Sequence, residues 1–124
     1  MASYDNAPTP GKHMICDIKN IKNRELLMDV EAIKDHLNVI CDTYGFTILH
    51  VSEHAFEVQG HTILYMLSES HISVHTFPER NYMAFDIYTC REYPDNSVYL
   101  YIYEFLIMAF GATRDTPTII DRQF

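Results

Sequence analysis

The sequence predicts an α+β fold, an antiparallel β-sheet with two main helices packed on one face to make a two-layer sandwich. Two observations carry the helices: an apolar stripe at helical spacing between Asp29 and Tyr44, and an apolar run from Ser97 to Phe110 that is too long for one strand. A third carries the sheet, namely a succession of short β-type runs separated by polar or Gly-containing breaks.

The chain opens on residues 1–11, where Asn6, Pro8, Pro10 and Gly11 are turn formers without periodicity, so a flexible arm is expected. Order is expected from Lys12, with a first strand over His13–Ile18. In the first helix Val30, Ile33, Leu37, Ile40 and Tyr44 recur at steps of three and four, Asp29 can cap the start and Gly45 can end it. Three strands are then expected, Phe46–Val51, Ala55–Gln59 and Thr62–Leu67, followed by His71–Phe77 and Tyr82–Cys90. Asn96 is a suitable cap and Gly111 a suitable terminator for the second helix, which is apolar nearly all round and so is expected to be buried on more than one side. A last strand, Pro117–Asp121, closes the sheet.

At 124 residues the chain supports one domain and one core. Its net charge of -8, with nine scattered Lys and Arg, would repel a phosphate backbone, so no nucleic-acid partner is expected. The longest apolar stretch, Val98 to Phe110, is broken by Glu104 and too short to span a bilayer, so no membrane partner is expected either. Cys16, Cys41 and Cys90 lack the paired spacing of a zinc site and are too few for a disulfide framework. Together with the lack of a basic leader followed by an apolar run, they lead to the expectation of a reducing, cytoplasmic setting.

Chemistry concentrates in Glu69-Ser70-His71-Ile72-Ser73-Val74-His75-Thr76-Phe77-Pro78-Glu79 and in Phe85-Asp86-Ile87-Tyr88-Thr89-Cys90. On a strand, His71, Ser73, His75 and Phe77 share one face, while Ser70, Ile72 and Val74 share the other. Read from the residues, the polar face is open to three accounts. It can be a solvated surface, which composition favours. It can hold a hydrolase nucleophile, though the Gly-x-Ser-x-Gly elbow is lacking. It can bind a metal through His71 and His75, though these lack the helix spacing of a zinc motif, and no metal is expected.

This segment resembles the processing and active-site region of the prokaryotic-type S-adenosylmethionine decarboxylases, whose pattern is Glu-Ser-His-Ile-Ser-Ile-His-Thr-Trp-Pro-Glu followed by Asp-Ile-Phe-Thr-Cys. The similarity runs from Gly11-Lys12-His13 to the last strand. The resemblance implies a proenzyme that cuts itself between Glu69 and Ser70 into a β chain, 1–69, and an α chain, 70–124. Ser70 would become a covalent pyruvoyl group that forms a Schiff base with the substrate amine and accepts the electrons left by carbon dioxide. It further implies that His75 serves processing, with Thr62 in support at a position usually held by serine, and that Cys90 returns a proton to the substrate carbon. Phe56, Phe77 (in place of the commoner tryptophan) and Glu79 would bind the substrate, the aromatics facing adenine or sulfonium and the acid the ribose. Arg91 stands where glycine is common.

The implied activity is a carboxy-lyase that decarboxylates S-adenosylmethionine for spermidine and other polyamine synthesis, as a homodimer with sites built from both protomers. Decarboxylation of arginine or ornithine on the same scaffold, and a processing-dead regulatory subunit, are the alternatives. Ser70 and His75 lie five positions apart, so a regular strand points them to opposite faces, and the backbone near Ser70 is expected to bend.

Overall fold

A computed structural model describes residues 9–124. The elements in chain order are β1 (Lys12–Ile18), a one-turn α1 (Arg24–Leu27), α2 (Val30–Tyr44), β2 (Ile48–Ala55), β3 (His61–Leu67), β4 (Ser70–Phe77), β5 (Tyr82–Thr89), α3 (Ser97–Phe110) and β6 (Thr118–Asp121), with a 3-10 turn at Pro78–Arg80. One six-stranded antiparallel sheet has the order β2-β3-β4-β5-β1-β6, and the helices cover one of its faces. The expected α+β sandwich is the observed one.

Strand alternation sorts the sheet into two faces. Met14, Cys16 and Ile18 of β1, Ile63, Tyr65 and Leu67 of β3, Ile72 and Val74 of β4, and Met83, Phe85 and Ile87 of β5 are buried in the core with Ile33, Leu37 and Ile40 of α2 and Ile102, Leu106 and Phe110 of α3. The opposite face carries His13, Thr62, His71, Ser73, His75 and Asp86, with Ile15, Leu64, Met66 and Phe77 exposed among them. No helix covers that face among the described residues.

The helix ends follow the sequence with one exchange of roles. Asp29 accepts a hydrogen bond from Ala32 N at 3.0 Å and Gly45 ends α2 in the left-handed conformation. At α3 the side chain of Asn96 makes no capping bond; Asp95 accepts from Ser97 N at 2.9 Å, while Asn96 accepts from Lys12 Nζ at 2.6 Å and ties α3 to β1.

Four features depart from the sequence reading. Ala55–Gln59 is not a strand: β2, after a register shift between Ile48 and His50, runs to Ala55, and residues 56–60 form the hairpin turn, closed by a bond from Phe56 N to Gly60 O at 2.9 Å. The turn needs Gly60, at φ +98°, because a Cβ there would lie 2.7 Å from Thr76 O. Second, α3 is not buried on several sides; it turns Tyr99, Ile102, Leu106 and Phe110 inward and leaves Tyr101 and Met108 largely exposed. The core lies on one side of the helix, so its apolar outer stripe meets no element among the described residues. Third, α1 has too few residues to display a period, so periodicity does not reveal it. The fourth concerns the arm: residues 1–8 lie outside the described residues, but Thr9 to Gly11 are fixed. Pro10 O accepts a hydrogen bond from Tyr88 Oη, and Gly11 O accepts one from Arg122 N at 2.9 Å.

No helix among the described residues is long and apolar enough to cross a membrane.

Candidate active site

The residues singled out from the sequence fall into two groups at opposite ends of the sheet. At one end Ser70 begins β4 and pairs with Thr89, the last residue of β5, so Glu69, Ser70 and Cys90 are neighbours. At the other end Thr62 of β3 pairs with His75 of β4, Ala55 of β2 pairs with His61, and the turns carrying Phe56 and Glu79 follow directly.

At the first end everything is buried. Glu69 and Ser70 are each 5% exposed and Cys90 is 4% exposed. Ser70 points to the helix face, and its Oγ has no hydrogen-bond partner among the described residues. A buried hydroxyl left unpaired costs about 1–3 kcal/mol, and among the described residues Ser70 shares this state with Tyr93 Oη. Glu69 is fully engaged: Oε2 accepts from Ser68 Oγ at 2.6 Å and Oε1 from Arg91 Nε at 2.9 Å. Burial, reinforced by the Glu69 carboxylate, pushes the Cys90 thiol above its ordinary value and keeps it protonated at neutral pH.

At the second end Thr62 Oγ1 and His75 Nδ1 are hydrogen-bonded at 3.0 Å on the open face. Phe77, partly exposed, lies 5.6 Å from the Tyr82 ring, and Phe56 stands edge-on to His54 at 5.5 Å. Glu79 is exposed on the 3-10 turn. The arrangement offers an imidazole set in place by a hydroxyl, two aromatic faces and an exposed carboxylate.

The expected bend near Ser70 does not occur. β4 keeps regular register with β5 from Ser70↔Thr89 to Phe77↔Tyr82, so Ser70 and His75 stay on opposite faces. At about 3.3 Å per residue they are roughly 17 Å apart along the strand. Unbroken pairing on β5 is what holds the strand straight.

Sequence reasoning did not foresee the polar cluster midway along the open face. Asp86 accepts hydrogen bonds from His13, Ser73 and His71, the last at 3.3 Å, on three adjacent strands. Partial burial opposes its ionisation, but the bonds from His71, Ser73 and His13 outweigh that and hold the carboxyl well below the ordinary carboxylate range. The signal lay in strand register, since His13 and His71 both sit opposite Tyr88.

Comparison with known proteins gives one consistent answer. Residues 12–123 match the family described as S-adenosylmethionine decarboxylase. The S-adenosylmethionine decarboxylase proenzyme 2 of Bacillus cereus is 44% identical over 82 residues, 66% of this chain and 66% of that protein. The S-adenosylmethionine decarboxylase proenzyme of Brevibacillus brevis is 40% identical over 90 residues, 73% of this chain and 67% of that protein. The match thus takes in about two thirds of the length of these relatives. The crystal structure of the adenosylmethionine decarboxylase from Aquifex aeolicus superposes with a TM-score of 0.78 at 25% identity, over 94% of this chain and 92% of that one.

Proposed function

The chain belongs to the S-adenosylmethionine decarboxylase family, and we propose on that footing that it is a proenzyme that cuts itself between Glu69 and Ser70, its processed form decarboxylating S-adenosylmethionine for spermidine synthesis. The single observation that carries this reading is the buried Ser70 hydroxyl, unpaired among the described residues and bonded through its own backbone to the Glu69 carbonyl. Relatives named as proenzymes support it.

Cleavage consumes only this chain and one water. Ser70 Oγ bonds to the Glu69 carbonyl carbon as the C–N bond breaks, and the hydroxyl proton ends on the freed amine, which turns the peptide into an ester. Removal of the Ser70 Cα proton then breaks the Cβ–Oγ bond and releases Glu69 as a carboxylate. Water replaces the nitrogen, which leaves as ammonia, and the second chain begins with a pyruvoyl group. Ser70 fits that origin, being held at the first position of β4 by pairing with Thr89. Once formed, the group supplies an electron sink for the decarboxylation.

Proton removal is assigned to His75, set in place by Thr62, and its distance from Ser70 leads us to assign it in trans. A homodimer packed through the open sheet faces about a two-fold axis perpendicular to the strands would lay the Thr62–His75 end of one protomer over the Ser70–Cys90 end of the other, where the Ser70 side chain turns away to the helix face and the imidazole approaches the backbone, whose Cα carries the proton to be removed. Such packing would also cover Ile15, Leu64, Met66 and Phe77, which are 41%, 46%, 56% and 37% exposed. In the processed enzyme Phe56 and Phe77 would face the adenine ring and the sulfonium cation, and Glu79 would accept hydrogen bonds from ribose hydroxyls. Cys90, protonated at neutral pH and buried beside the cut, would return a proton to the substrate carbon.

The substrate is tested by release of labelled carbon dioxide from S-adenosylmethionine, arginine and ornithine in parallel. The expected result is the highest kcat/KM for S-adenosylmethionine, lowered about 10- to 100-fold by Phe56→Ala, which is roughly 1–3 kcal/mol of lost stacking and cation–π attraction. A higher kcat/KM for arginine or ornithine would overturn the substrate and leave the cleavage chemistry standing.

A further inference from the structure

We infer that Arg91 is the positioning residue of the cleavage junction, its guanidinium clamping the Glu69 side chain to the end of α2 and so fixing the acyl half of the bond that Ser70 attacks. The inference rests on the self-cleavage reading above and names a residue that holds the junction for it.

The guanidinium is held from several sides. Nε donates to Glu69 Oε1 at 2.9 Å, Nη2 donates to Gly45 O at 2.7 Å and Nη1 donates to Tyr44 O. The Phe46 ring lies against it, its centroid 4.1 Å from Cζ. Tyr44 is the last residue of α2 and Gly45 its cap, so two carbonyls at the negative end of the helix anchor the cation. A planar fork suits this task, since it can meet a carboxylate and two carbonyls while its face rests on an aromatic ring.

The Glu69 side chain has little freedom beside this anchor. It is 7% exposed, and each carboxylate oxygen accepts a hydrogen bond, one from Arg91 and one from Ser68. On its other side the chain enters β4, paired to β5 from Ser70 onward. The Glu69 carbonyl is therefore suspended between a fixed side chain and a fixed strand. An acyl carbon held this way meets a neighbouring nucleophile repeatedly in one geometry, the entropic advantage of an intramolecular reaction. The ion pair also spans the cut: Glu69 would end the first chain and Arg91 belong to the second.

The test compares freshly purified wild-type protein with Arg91→Ala, Arg91→Lys and Glu69→Gln. Intact-mass spectrometry under denaturing conditions follows the loss of uncut chain with time, and thermal unfolding establishes that each variant is folded at the assay temperature. Arg91→Ala is expected to cut about tenfold more slowly or worse while folded, in line with the cost of small misplacements of reacting groups. Arg91→Lys should recover part of the rate. Glu69→Gln leaves the α2 anchor intact and weakens only the grip on the junction, so it should also slow cutting, and adding Arg91→Ala to it should slow cutting less than the two separate losses multiplied together. If Arg91→Ala does not fold, Arg91→Lys and Glu69→Gln decide alone. Wild-type cleavage rates in folded Glu69→Gln overturn the inference even where Arg91→Ala is slow. A wild-type chain that never cuts overturns the self-cleavage reading, and this inference with it.

Discussion

Thr62 and His75 are joined by a hydrogen bond of 3.0 Å on the open face of the sheet, while Ser70, on the same strand as His75, points to the helix face. Within one protomer this imidazole does not reach the serine that the proposed cleavage consumes. In the proposed homodimer the imidazole acts on the Ser70 of the other protomer, and this assistance in trans can be read by complementation. His75→Ala and Ser70→Ala chains should each remain uncut alone. Refolded together, they should yield cut products derived from the His75→Ala chain only, because that chain keeps its serine and borrows an imidazole. Cutting of His75→Ala by itself at the wild-type rate would remove His75 from the chemistry.

Cys90→Ala should still be cut but turn over poorly, by about 10²-fold or more in kcat, the usual cost of removing a general acid. The raised thiol value sets the sign of the pH dependence: the protonated donor is present at neutral pH and is lost only as pH rises through that value. The alkaline limb of kcat should therefore lie above the ordinary thiol value of about 8.5. A fully cut Cys90→Ala protein with wild-type turnover would make Cys90 a packing residue.

Asp86 supplies an acid-sensitive contribution to stability. Its folded carboxyl is held below the ordinary range by His71, Ser73 and His13 against the opposing effect of burial, so the contribution is complete above the unfolded value of about 3.9 and is lost as pH falls below it. Asp86→Asn should cost about 1–3 kcal/mol near neutrality, the scale of charge-assisted hydrogen bonds. The gap between wild type and variant should narrow from pH 5 to pH 2 in denaturant titrations. A constant gap across that range would mean that the charge on Asp86 contributes nothing.

Much of the fold was legible because its signals are local. The stripe from Val30 to Tyr44, capped by Asp29 and closed by Gly45, gave α2 its observed limits, and alternation correctly put His71, Ser73 and His75 on the face opposite Ile72 and Val74. Residues 55–59 misled because Phe56 and Val58 are β-type residues by composition, whereas the chain reverses there and leaves Val58 91% exposed. The long motif drew attention to Ser70, His75 and Cys90, and strand parity already stated that Ser70 and His75 diverge. That parity is satisfied by a straight strand rather than by a bend, since the register with β5 is unbroken. The junction between Glu69 and Arg91 could not be read from sequence. It depends on β5 ending beside the cut and on the C-terminus of α2 reaching the same place, which are relations among three distant segments.

Gly11 connects the fold to the same junction. It sits at φ +88°, and a Cβ there would fall 1.8 Å from Thr89 O and 2.6 Å from Cys90 Cα. Gly11→Ala should lose about 1–3 kcal/mol of stability through backbone strain and displacement. By moving Thr89, the partner of Ser70, it should also slow cutting. Unchanged unfolding temperature and cleavage rate would show that the first strand can shift without disturbing the cut.

The most direct test of self-cleavage is denaturing mass spectrometry of wild-type and Ser70→Ala proteins purified side by side and incubated at neutral pH. The wild-type sample is predicted to contain two chains meeting between Glu69 and Ser70, the second beginning with a carbonyl in place of its amine, and Ser70→Ala a single uncut chain. A wild-type chain that stays whole after prolonged incubation, with no decarboxylase activity, would contradict the account.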